Sequence, residues 1–111
     1  MAGPPSKPEP TEKQIQDAIL EYLKMKGIFA WKQNVGAFLL TSNDKKRMVR
    51  SAFPGVSDIL GYLRDGRGLA IEVKRPGKKL THDQQAFLDA VNATKALGFV
   101  AHSGEVVAAK L

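Results

Sequence analysis

Glu72 and Lys74 are held one residue apart in the run Leu69-Ala70-Ile71-Glu72-Val73-Lys74, whose alternation reads as a β-strand. Side chains alternate across a strand, so Glu72 and Lys74 share one face with Ala70, while Leu69, Ile71 and Val73 point the other way, towards an apolar core. Charges are not buried unpaired, so a metal ion, a phosphate or a reciprocal ion pair is needed on the polar face. Asp58 lies upstream, after Pro54-Gly55-Val56-Ser57. If its strand pairs with the Glu72 strand through the Asp65-Gly66-Arg67-Gly68 turn, two carboxylates and an ammonium meet at one sheet edge. Two convergent carboxylates bind a hard cation such as Mg²⁺ through oxygen and leave water on it. Such a cation activates its water and neutralises charge on a phosphate, and Lys74 is placed to orient the water or stabilise an oxyanion. The spacing alone equally suits an exposed ion pair on an edge strand, with Asp58 in a turn.

The surrounding elements must bring these groups together. Thr11 and Gln14 form a capping box, and Ile15, Ala18, Ile19, Tyr22 and Leu23 follow at helical spacing until Gly27. Glu12 precedes Ile15 by three residues and Ile19 by seven, which puts it on the inward face. The alternative is a dipole-favourable residue with its head in solvent. Residues 28–32 read as a short strand broken by Asn34-Val35-Gly36. Residues 37–40 and 47–53 read as hairpin arms around Ser42-Asn43-Asp44-Lys45. Strands are expected at 56–63 and 69–74, closed by Pro76-Gly77. A second capping box, Thr81 with Gln84, opens a helix reaching about Leu97; residues 99–102 form a last strand, and Ser103 caps a short terminal helix. Gln84 shares a face with Phe87, Leu88 and Val91 and is directed at the sheet, where capping and service to a site are expected to exclude one another. The order predicts an α/β fold with a central mixed β-sheet flanked by helices and at least one parallel crossover.

With 111 residues the chain suits one domain, expected over 11–111 behind a flexible Pro-rich leader at 1–10. Hydrophobic content of 43% and charged content of 25% are those of a globular protein. No apolar run approaches the roughly 18–20 residues of a membrane span, so no membrane partner is expected. The absence of cysteine excludes a disulfide, a thiolate metal site and a Cys nucleophile, and fits a cytoplasmic setting. A net charge of +6 favours a polyanion, nucleic acid before an acidic membrane. The basic residues gather at Lys45, Lys46, Arg47 and Arg50 and again at Arg75, Lys78 and Lys79, in turn-like segments rather than on a helix face.

The run Gly55-Val56-Ser57-Asp58-Ile59-Leu60, followed by Leu69-Ala70-Ile71-Glu72-Val73-Lys74, resembles the core of the PD-(D/E)xK nuclease superfamily. More narrowly, the chain resembles the VRR-NUC family of virus-type replication and repair nucleases. The likeness takes in Glu12-x-x-Ile15-Gln16, Asn34-x-Gly36 and Leu80-Thr81-x-x-Gln84, and so covers residues 11 to 103. Ser57 departs from the proline of the superfamily name. The resemblance implies a restriction-endonuclease-like fold and a Mg²⁺- or Mn²⁺-dependent endodeoxyribonuclease. Asp58, Glu72 and the Val73 backbone carbonyl would hold the metal; Glu12 would add a ligand or an outer contact; Lys74 would assist the water and Gln84 support the site. Stand-alone members resemble dimeric Holliday-junction resolvases, which implies a homodimer acting on branched DNA in DNA repair, in a host cytoplasm where the chain is phage-encoded. The alternatives are a flap- or end-directed nuclease and a non-catalytic DNA-binding module.

Arg47, Arg50, Arg75, Lys78, Lys79, Lys32 and Asn34 are the candidates for DNA contact; phosphate contacts position a substrate without reading its sequence. His82 and His102 lack ligand spacing and are read as structural or exposed. Trp31, Phe38 and Phe53 suit base stacking, but core packing is the expected use of each. No Ser or Thr has an adjacent base, and no glycine-rich loop matches a phosphate-binding fingerprint.

Overall fold

The computed structural model describes residues 8–33, 37–42, 45–50 and 53–111, the two middle stretches by their backbone alone. Helix α1 (Glu12–Met25) starts at the predicted capping box: Gln14 N–H donates to Thr11 Oγ1 at 3.1 Å and Thr11 N–H to Gln14 Oε1 at 2.9 Å. Its buried stripe is Ile15, Gln16, Ile19 and Leu23; Ala18, expected inward, is exposed.

Strands β1 (Phe29–Lys32), β4 (Ile59–Tyr62), β5 (Gly68–Val73) and β6 (Leu97–Ala101) form one sheet in the order β1-β4-β5-β6. β1–β4 and β4–β5 are antiparallel and β5–β6 is parallel, as the crossover demanded. β2 (Ala37–Ser42) and β3 (Lys45–Arg50) form a separate two-stranded hairpin, Ser42 opposite Lys45. The second arm therefore starts earlier than the predicted 47–53. β4 is shorter than the predicted 56–63 at both ends. Leu63 N–H bonds Arg67 C=O at 2.7 Å to close the turn, while Val56 and Ser57 are buried against the fold outside the ladder.

α1 and α3 (Gly104–Lys110) cover one face of the sheet. There Ile15, Ile19, Leu23 and Val107 pack on Ile59, Leu69, Ile71, Val73, Phe99 and Ala101, among them the core-facing trio predicted for β5, Leu69, Ile71 and Val73; each large aliphatic buried so contributes about 1.5–3 kcal/mol. α2 (His82–Asn92) covers β5 and β6 on the other face. Gly98 lets it sit close, since a Cβ there would stand 3.0 Å from Val91 Cγ1 and 3.2 Å from Leu88 Cδ2.

α2 ends at Asn92 rather than near Leu97. Asn92 Nδ2 donates to Gly98 C=O and Asn92 Oδ1 accepts from Gly98 N–H, both at 2.9 Å. Thr94 Oγ1 donates to Val91 C=O and accepts from Ala96 N–H. These local bonds replace further helical turns and release Leu97 into β6. Asn92→Ala is expected to cost about 1–2 kcal/mol in urea unfolding; an unaltered midpoint would refute the pinning role. Ser103 precedes α3 as predicted but makes no side-chain capping bond.

Candidate active site

The β4–β5 register pairs Ile59 with Ile71, and one step beyond the ladder it sets Asp58 opposite Glu72. Asp58 is anchored from both sides. Its Oδ2 accepts the Val73 N–H at 2.8 Å, and its backbone carbonyl accepts the Gln33 N–H at 2.7 Å, which ties the end of β1 to the same point. The loop before it docks on α2: Gly55 has φ 74°, and a Cβ there would lie 2.1 Å from the Asp83 carbonyl oxygen. The hairpin through residues 65–68 thus does what the sequence required of it.

Glu72 is 2% exposed. Its Oε1 accepts Gln84 Nε2 at 3.2 Å, and its Oε2 is buried with no hydrogen-bond partner. Burial, then the adjoining Asp58 carboxylate, push the Glu72 carboxyl up to about 9; the Lys74 ammonium pulls it down and the Glu12 charge pushes it further up. Two carboxylates side by side have no proton donor between them, so either a proton or a cation resolves their repulsion. Lys74 is half-buried, and its backbone extends the β5–β6 pairing: its N–H bonds Ala101 C=O at 3.1 Å, and its carbonyl lies 3.0 Å from His102 Nδ1. His102 is structural, and His82 is exposed.

Gln84 corrects an expectation. Its Oε1 accepts Thr81 N–H at 2.9 Å while its Nε2 donates to Glu72, so one conformer both closes the capping box and holds the site carboxylate. The two ends of a primary amide have opposite polarity, and a helix N-terminus aimed at a strand uses both. Glu12 also differs from expectation: it is exposed, because the first turn of α1 is its outermost. Its charge nevertheless acts on Glu72. One turn later Gln16 is buried, and its Oε1 and the Ser57 Oγ have no hydrogen-bond partner. Both belong to the quoted motifs, yet neither was singled out for chemistry; a glutamine interrupting an apolar stripe four residues after Glu12 was the available signal.

Lys32, Lys78 and Lys79 are exposed. Arg75 is tied to Glu9, Nη2 to Oε2 at 3.0 Å. Asn34 and the Arg47 and Arg50 side chains lie outside the described residues, as does the Phe38 ring. Core packing was the wrong expectation for Trp31 and Phe53, which are 38% and 71% exposed.

Residues 8–105 match the VRR-NUC domain. The chain belongs to the VRR-NUC family. The four-stranded mixed sheet and three helices are compatible with a VRR-NUC nuclease fold, and membership makes this a nuclease domain. No curated protein matches the chain closely. Among the described residues no helix is long and apolar enough to cross a membrane. Also among them, no three acidic, Cys or His side chains cluster so as to hold a metal ion. A cation here would therefore rest on the two carboxylates, with backbone oxygen, water and substrate phosphate completing its shell, a regime that suits Mg²⁺.

Proposed function

We propose that this VRR-NUC domain is a Mg²⁺- or Mn²⁺-dependent endonuclease that hydrolyses DNA phosphodiester bonds, acting as a homodimer on branched DNA. The observation that carries the reading is the buried Glu72 Oε2, unpartnered beside the Asp58 carboxylate. Such an oxygen suits a cation, and the donor set fits one. Asp58, Glu72 and the Val73 backbone carbonyl would hold it, with Glu12 as an outer contact. When bound, the metal would supply a water of lowered pKa and neutralise charge on the phosphate.

The chain's own residues do the rest. The Val73 N–H and the Gln33 N–H fix Asp58, and Gln84 fixes Glu72, so the carboxylates need no reordering when substrate arrives. Lys74, its backbone fixed by Ala101 and its ammonium acting on Glu72, is placed to orient the attacking water. Exposed Lys32, Lys78 and Lys79 are suited to phosphates. The net charge of +6 supports salt-sensitive binding.

Lys74→Ala is expected to keep the fold and junction binding and to lose metal-dependent cleavage by about a hundredfold or more, in line with removal of an electrostatic catalytic group. Undiminished cutting would remove the assignment. A panel of four-way junction, flap, end and linear substrates, with a mass measurement in solution, tests the junction preference and the dimer separately.

A further inference from the structure

Phe29, Trp31 and Tyr62 are 70%, 38% and 54% exposed, yet they touch one another. Their ring centroids lie 5.5 Å apart for Phe29–Trp31 and 6.3 Å for Trp31–Tyr62, tilted in both pairs. A single exposed ring is ordinary; three in contact on an open sheet face mark a binding surface.

The register gives this surface its address. Phe29 and Trp31 share one face of β1, and the pairs Phe29↔Tyr62 and Trp31↔Leu60 continue that face onto β4. Leu60↔Ala70 carries it onto β5, where Glu72 is the next residue on the same face. The rings therefore lie on the side of the sheet that holds Asp58 and Glu72. Along the strands Trp31 is one row, roughly 7 Å, from the row of the carboxylates, and Phe29 with Tyr62 two rows, roughly 13 Å. Across them, β1 lies one strand spacing of about 4.8 Å from Asp58, just ahead of β4, and two from Glu72 on β5. Among the described residues, α2 packs on β5 and β6 on this side. Between it and the rings runs a groove of about 240 Å³ lined by Trp31, Leu60, Tyr62, Ala70, Val91 and Ala96. Round the β1 edge, Lys24 and Lys32, which belong to the opposite, α1-covered face, line a second groove with Phe29 and Trp31, and no carboxylate is among its lining residues. Trp31 Nε1 donates to Gln33 Oε1 at 3.1 Å, which fixes the indole.

We propose that Phe29, Trp31 and Tyr62 form a stacking platform for unpaired nucleotides on the face of the scissile bond, with Lys24 and Lys32 placed for phosphates of a strand that wraps the β1 edge. The placement on the face of the scissile bond rests on the nuclease reading of the Asp58–Glu72 site. Bases inside a duplex have both faces covered, so only unpaired or splayed bases can use such rings. Cations without acids on the flank, and a face continuous with the phosphate-cleaving groups, favour a nucleic acid over an apolar protein partner.

Trp31 is the only tryptophan, so its fluorescence reports on the platform directly. In EDTA, which keeps the DNA intact, a dT oligonucleotide and a gapped duplex are expected to quench it saturably, and a blunt duplex is not. By anisotropy of a labelled dT oligonucleotide, Phe29→Ala, Trp31→Ala and Tyr62→Ala should each weaken binding by about tenfold, while Trp31→Phe and Tyr62→Phe retain most of it. Equal quenching by blunt duplex, or none by any DNA, overturns the proposal. So do alanine variants that turn a dimer into a monomer with single-strand affinity unchanged, which would assign the rings to contact between copies. Because the readout is metal-free binding, a protein that stacks but never cuts would refute the nuclease reading alone, and one that cuts without stacking would refute this one alone.

Discussion

Glu72→Gln is expected to stabilise the metal-free protein by about 3 kcal/mol at pH 7 while abolishing cleavage. The Glu72 carboxyl has its ordinary value of 4.5 in the unfolded chain and about 9 in the folded one. Below 4.5 both states are protonated and the group costs nothing. As the pH rises from 4.5 towards 9, the unfolded chain releases a proton that the folded chain must keep. Stability then falls by about 1.4 kcal/mol for each pH unit, which sums to about 3 kcal/mol by pH 7. Above 9 the slope vanishes. A glutamine stands in for the protonated acid: its oxygen can still accept Gln84 Nε2, and its NH₂ faces the Asp58 carboxylate. Urea unfolding in EDTA at pH 5, 7 and 8.5 should show the native protein weakening and the variant holding; parallel curves for the two would contradict the assignment.

The same carboxyl links metal to protons. If Asp58 and Glu72 hold Mn²⁺, the cation displaces the proton that Glu72 otherwise keeps at neutral pH. Mn²⁺ affinity should then rise with pH towards 9, and titration calorimetry in two buffers of different ionisation enthalpy should show proton release near one per site. In Glu72→Gln both signals should disappear. Binding that takes up no buffer enthalpy difference would place the metal elsewhere.

Periodicity was enough to reveal the Glu72–Lys74 face and the aliphatic face of β5, because strand parity is strict. The Asp58 contact was readable only as far as the turn at 65–68 fixed a register, and the register did fix it. What could not be read were bonds that depend on tertiary distance. Asn92 looks like any polar helix residue until Gly98 arrives opposite it, so the end of α2 was placed too late. Sequence alone allows Gln84 one partner, because the capping box is a local pattern and its second bond, to Glu72, spans elements. Ring size alone points Trp31 to the core, because large rings are usually buried. That α2 sits on β5 and β6 is a fact of packing, invisible in the spacing of β1. Family resemblance supplied the association of Glu12 with the site, which helix geometry alone would have placed in the core rather than at an exposed first turn.

Gly55→Ala is expected to cost about 2–5 kcal/mol and to lose cleavage as well. Two independent costs add there. A φ of 74° strains any residue with a Cβ by roughly 1–2 kcal/mol. The added carbon would also meet Asp83 C=O at 2.1 Å and Gln84 N at 2.8 Å, and overpacking of this kind typically costs a further 1–3 kcal/mol or so. The obstacle is backbone in the first turn of α2, so no side-chain rotation relieves it; either the 54–57 loop or the helix start must move. Either movement separates Gln84 from Glu72 or shifts Asp58 off the Val73 N–H, and the carboxylates lose their fixed spacing. Gly77→Ala isolates the strain term, since Gly77 has φ 83° but open space around its Cβ position. It should lose only about 1–2 kcal/mol and keep its cleavage rate. If the two variants lose equal stability, the docking of the loop on α2 is not what holds Asp58. If Gly55→Ala instead melts early yet cuts normally below its midpoint, the docking serves the fold and the site is positioned by β4 and β5 alone.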